Sequence, residues 1–118
     1  MTPAIAVFLI FQSQQQPPPA RWKCTPQKMV ECSVAGCEER KPTVWILIDR
    51  DRETYSRCDA KSCDTYGADV HESGMFTIYE LRGRATFLKM SDLVRQFVDV
   101  ATSGVSAFVN SGTCEVQK

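Results

Sequence analysis

At 118 residues the chain is long enough for one domain with a modest core and too short for two. Its 14 Lys and Arg balance its 14 Asp and Glu, and neither sign gathers into a block, so the basic footprint of a nucleic-acid binder is absent. Six cysteines in so short a chain signal a disulfide framework if the protein is exported, and metal or redox chemistry if it stays in the cell.

The N-terminus bears on that choice. Residues 1–13 contain the apolar run Ala4-Ile5-Ala6-Val7-Phe8-Leu9-Ile10-Phe11 and no charge. The run resembles the hydrophobic region of a signal peptide and falls well short of the roughly 20 residues that span a bilayer as a helix. No Lys or Arg precedes it, and no A-x-A cleavage pattern follows it. If retained, the segment is an arm that must bury itself against a neighbour or a membrane surface. Residues 14–20 are a Gln/Pro-rich linker, because Gln brings no apolar surface to bury and the triplet Pro17-Pro18-Pro19 favours polyproline II. A single Cys-rich domain is expected over residues 21–118.

From Cys24 to Lys41 there is no sustained period, and Pro26, Gly36 and Pro42 punctuate the segment. It reads as irregular and cysteine-tied, with at most a short strand at Met29-Val30-Glu31-Cys32. The run from Thr43 to Asp49 is apolar on both alternating faces and reads as a central strand covered on both sides. Asp49-Arg50-Asp51-Arg52-Glu53 then turns the chain into a second, more polar strand, Thr54 to Cys58. Asp49, Asp51 and Glu53 alternate like the start of a calcium loop, but that loop needs Gly and Glu where Thr54 and Ala60 stand, so a salt-bridged hairpin tip is expected.

Beyond Cys63, turn residues recur at Gly67, Ser73-Gly74, Arg82-Gly83, Ser91-Asp92, Ser103-Gly104 and Ser111-Gly112. Met75 to Leu81 and Ala85 to Met90 flank Arg82-Gly83-Arg84 as a hairpin, and Val105 to Asn110 is strand-like. Residues 92–102 carry two patterns. Leu93, Val94, Phe97, Val98 and Ala101 lie at helical spacing behind a Ser91 cap, while β-branched Val94, Val98, Val100 and Thr102 favour a strand from about Gln96. The fold class is therefore all-β, a small disulfide-stapled antiparallel meander forming a barrel or sandwich, with one short helix near residues 92–102 as the alternative.

Six cysteines allow 15 pairings. Four residues separate Cys32 from Cys37 and Cys58 from Cys63, a hairpin-sized interval that suits a disulfide, which leaves Cys24 for Cys114. The long bridge should contribute most, and losing Cys114 should hurt more than losing Cys63. The same two pairs approximate a four-thiolate zinc site, a reading that gains if the chain is not exported.

Asp69, His71 and Ser73 would share one face of a strand as an acid, a base and a hydroxyl. Near-neighbours on one strand rarely converge into a triad, so this stretch reads as a polar turn. Nothing in the sequence calls for a cofactor, a catalytic residue or a metal ligand, and the protein is expected to be non-enzymatic. Trp22, Trp45 and Tyr79 are candidate interface anchors, with Trp45 read as core. Ser73-Gly74 before a strand, together with Ser111-Gly112-Thr113-Cys114 at the end, resembles pieces of the periplasmic C-type lysozyme inhibitors, small barrels that insert a Ser-Gly loop into the lysozyme cleft. Those inhibitors carry a Tyr shortly after Ser-Gly and then a Trp and Lys-Gly, whereas Met75 to Gly83 here lacks the Trp. The resemblance implies Ser73 and Gly74 as contacts. The expected function is a binding or accessory subunit of a periplasmic or extracellular assembly with a protein partner. The alternatives are an inhibitor of a secreted hydrolase and an intracellular zinc-binding adaptor.

Overall fold

Strand alternation organises the computed structural model of this chain, which describes residues 19–118. The apolar N-terminal segment and most of the linker lie outside the described residues. Nine strands follow one another: β1 (Arg21–Ser33), β2 (Gly36–Arg40), β3 (Trp45–Asp49), β4 (Thr54–Cys58), β5 (Cys63–Ser73), β6 (Phe76–Leu81), β7 (Thr86–Ser91), β8 (Gln96–Ser103) and β9 (Ser106–Val116). All pairings are antiparallel, in the order β2-β1-β3-β4-β5-β6-β7-β8-β9, and β1 also pairs with β9. The meander thus closes into an eight-stranded barrel, and β2 stands outside it as a hairpin extension of β1.

The expectation of a strand from about Gln96 holds, and no helix occupies residues 92–102: a turn at 92–95 leads into β8. The β-branched Val98, Val100 and Thr102 suit the pleat, where their χ1 restriction costs nothing. The segment after Cys24 corrects the sequence reading, because β1 is thirteen residues long. Its ladder partners lie on both edges: β9 along its length on one side, β3 against Arg21 to Cys24 and β2 against Met29 to Ser33 on the other. Pro26, which cannot donate to a ladder, sits at the bulge between Pro26 and Lys28. β5 likewise runs through Gly67, pairing with β4 up to that residue and with β6 beyond it. Gly67 and Ser111-Gly112 are therefore strand interior and not turns.

Inward positions build the core from Trp22, Ile46, Ile48, Tyr55, Ala68, Tyr79, Leu81, Leu88, Met90 and Phe97. Each large side chain among them contributes about 1.5–3 kcal/mol by leaving water. β3 is not covered equally on both sides: Ile46 and Ile48 face in, while Trp45 is half-buried on the outer face with the Lys23 ammonium 5.4 Å from its ring centre. Trp45, expected as core, is therefore not part of it. Trp22, expected as a contact residue, is 3% exposed in the core, with the Arg95 guanidinium 5.5 Å from its ring centre.

The three disulfides are Cys24–Cys114, Cys32–Cys37 and Cys58–Cys63, each joining residues directly opposite in the ladder with Cα atoms 4.0 Å apart. No cysteine is free, so the zinc reading has no thiolate left to use. Three bridges fit an oxidising compartment. Their burial sets an expected order of reduction. Cys37 is exposed and Cys32 half-buried, Cys58 is buried but Cys63 exposed, and Cys24 and Cys114 are both buried. Graded reduction followed by alkylation and mass spectrometry should therefore open Cys32–Cys37 first and Cys24–Cys114 last, and the reverse order would contradict this packing.

Candidate functional site

The eight barrel strands alternate in direction, so the turns divide between two barrel ends. At one end lie the β1–β2, β4–β5, β6–β7 and β8–β9 turns; at the other lie the β3–β4, β5–β6 and β7–β8 turns and both termini of the described chain. The chain enters at this second end, where Arg50 N donates to Ala20 O at 2.9 Å and Arg50 Nη2 to Pro19 O at 3.1 Å.

The first end is open. A cavity of about 430 Å³ is lined there by apolar Met29, Val44, Leu81, Ala101 and Phe108, with Tyr55 and Tyr66 adding aromatic wall. Arg57 and Arg84 also line it, and no Asp or Glu does. The Arg84 guanidinium stacks on Tyr66, 4.6 Å from the ring centre, and has no carboxylate partner among the described residues. Stacking holds it in place without neutralising it.

Beneath the cavity a polar network crosses the barrel. Tyr55 and Arg57 of β4 reach Asp99 of β8, and Asn110 of β9 faces Asp99 in the ladder. Tyr55 Oη donates to Asp99 Oδ1 at 2.7 Å, Asn110 Nδ2 donates to Oδ2 at 3.2 Å, and Arg57 Nη2 approaches Oδ2 at 3.4 Å. Arg57 Nη1 also donates to Tyr55 Oη at 3.3 Å, so the phenol is both polarised and held. Asp99 and Asn110 have no exposed surface, whereas the Arg57 side chain is 28% exposed and carries the network up to the cavity. Asn110 Oδ1 is buried without a hydrogen-bond partner among the described residues.

Burial raises the Asp99 carboxyl above its ordinary range, more than the Tyr55, Arg57 and Asn110 contacts lower it. Burial also raises the Tyr55 phenol, reinforced by the neighbouring Asp99 charge. The sign for stability follows from linkage. A carboxyl whose folded pKa lies above its unfolded value penalises folding at high pH, and the penalty is released as pH falls through the folded pKa. Relative to Asp99→Asn, the natural protein should therefore gain stability as pH is lowered from 7 toward the ordinary value of 3.8. Urea midpoints of both proteins across that range check this, and parallel pH profiles would contradict it.

The sequence-based candidates lie elsewhere. Ser73 and Gly74 form an exposed hairpin tip at the second end, where Gly74 takes a φ of 63° and Met75 is 49% exposed. Asp69 and His71 are spent across the ladder: Asp69 accepts from Arg82 Nε at 2.8 Å, and His71 Nε2 lies 3.1 Å from Glu80 Oε1. Neither meets Ser73. Asp49 Oδ1 accepts from Asp51 N and Arg52 N, each at 3.1 Å, so its carboxylate shapes the β3–β4 hairpin tip. Tyr79 is core, at 1% exposure.

The residues that do converge, Tyr55, Arg57, Tyr66, Arg84, Asp99 and Asn110, were not singled out by sequence reasoning. One signal for them exists: Asp99 interrupts the inward row Phe97-Asp99-Ala101, where a carboxylate needs partners to be tolerated. Comparison with known proteins finds no matching family model, curated protein or solved structure. Among the described residues no helix is long and apolar enough to cross a membrane.

Proposed function

We propose that the protein is an exported, non-catalytic binding module that works in the periplasm or outside the cell. The observation carrying this reading is the open barrel end. A walled cavity lies over a buried polar network, on a scaffold closed by the β1–β9 ladder and its Cys24–Cys114 bridge. Concave, largely apolar sites with a few convergent polar groups are where small proteins take up ligands. The scaffold also points the cavity away from the N-terminal entry at Pro19, so a tether or neighbour at that end leaves the mouth clear.

Intact mass of the natively purified protein, with and without reductant, tests the compartment. The reading expects the mass deficit of three disulfides, and six free thiols would overturn it. A second reading, inhibition of a secreted hydrolase, is supported by the protruding Ser73-Gly74 tip. Residual lysozyme activity at micromolar concentrations of the added protein tests lysozyme as the target, and full activity would discard that target.

A further inference from the structure

We propose that the cavity at the open barrel end binds a small amphipathic carboxylate, its apolar body among Met29, Leu81, Ala101 and Phe108 and its head between Arg84 and Arg57. This deepens the binding-module reading and rests on it.

Charge complementarity selects the head group. The cavity lining holds two arginines and no carboxylate: Asp99 lies wholly buried beneath it, and Asp64, opposite Arg57 in the β4–β5 ladder, is exposed and outside the lining. Asp99 engages Arg57 through Nη2 alone, at 3.4 Å, while Nη1 turns to the Tyr55 hydroxyl. Among the described residues Arg84 is committed only to the face of Tyr66, which leaves the edge of its guanidinium plane available. A planar fork held by stacking is preorganised for the two oxygens of a carboxylate, which it meets with paired, charge-assisted hydrogen bonds. Lysine in this place would offer only a point charge.

The apolar body follows from the walls and the volume. About 430 Å³ lies within the range of small-ligand pockets and has room for the body of a medium-chain or single-ring acid. Hydroxyls at Thr43, Thr86 and Ser103 ring the lining, while Thr102 Oγ1 is already donated to Ala85 O at 3.0 Å. The larger part of the lining surface is nonetheless apolar, the composition of a site that takes its affinity from apolar burial and its orientation from charge.

Calorimetric titration with octanoate tests the proposal, with octanol and acetate as the same tail without the charge and the same charge without the tail. Octanoate should bind, and each comparison ligand should bind at least about tenfold more weakly. Arg84→Gln, a change at a rim side chain outside the core, should weaken octanoate by about tenfold or more. Arg52→Gln, at the other barrel end, should leave it unchanged. Amide chemical-shift changes on titration should fall on Tyr66, Arg84 and Ala101. Equal binding of octanoate and octanol would overturn the anionic head while leaving the cavity as a binding site. Binding of neither would overturn both the carboxylate proposal and the cavity. Equal losses in Arg84→Gln and Arg52→Gln would reduce the effect to net charge and overturn the assignment of Arg84.

Discussion

Replacing both Cys24 and Cys114 by alanine is expected to lower stability by about 4.6 kcal/mol on the loop-entropy model, against about 2 kcal/mol for the corresponding change at Cys58 and Cys63. The difference arises in the unfolded chain. The first bridge spans a sequence separation of 90 and the second one of 5, so the long loop loses far more freedom when closed. In the folded state Cys24 and Cys114 are strand partners on the seam where the first barrel strand meets the last. Both are core, at 0% and 4% exposure, so the single change Cys114→Ser adds the burial of a hydroxyl beside an orphaned thiol. A domain of this size has about 5–15 kcal/mol to lose, so the double variant should sit near its unfolding threshold while the Cys58/Cys63 variant stays folded. Urea unfolding under non-reducing conditions measures both. Equal losses would mean that the unfolded chain is already constrained, or that the closing ladder does not depend on the bridge.

That long bridge was legible because its alternatives were short. Cys32–Cys37 and Cys58–Cys63 sit across tight turns, and Cys24–Cys114 follows once those are made. Strands whose neighbours in sequence are also their neighbours in space were legible for a similar reason: β4 runs over Thr54–Cys58, and β7 begins within a residue of the expected start. β1 was hidden because its order comes from β9, some ninety positions away, which overrides Pro26 and the charges around it. The network beneath the cavity was hidden by the same distance. Tyr55 and Asp99 are separated by 44 positions, and only barrel closure brings a phenol and a carboxylate to 2.7 Å. The burial of Trp22 and the outward side of Trp45 have another cause. Trp45 lies in a run apolar on both faces, where a shift of one residue moves a side chain from core to surface, whereas the alternation Arg21-Trp22-Lys23-Cys24 marks Trp22 as inward only once that segment is read as a strand.

Glycine placement shows the same limit and leads to the second large expected effect. Ser111-Gly112 has the composition of a turn, yet Gly112 lies inside β9 opposite Pro26, at the bulge where β1 admits an extra residue. The close approach of two backbones explains the glycine: a Cβ at position 112 would overlap Thr25 O and stand 2.8 Å from Gln27 N and 3.0 Å from Pro26 Cα. These are main-chain atoms held on β1 by the ladder on either side of the bulge, so relief requires the seam itself to open. Gly112→Ala should accordingly cost about 3 kcal/mol, the upper range for overpacking, although alanine suits a strand at least as well as glycine. Gly104, in the β8–β9 turn, is the control. Its φ of 59° lies in the left-handed region, but nothing stands within 4 Å of a Cβ built there. Gly104→Asn keeps a residue that tolerates that conformation and should cost less than about 1 kcal/mol. Urea unfolding of the two variants separates the roles. A large loss at Gly112 with a small one at Gly104 places the constraint in the β1–β9 seam; comparable losses would mean that the bulge yields and that the seam does not limit barrel closure.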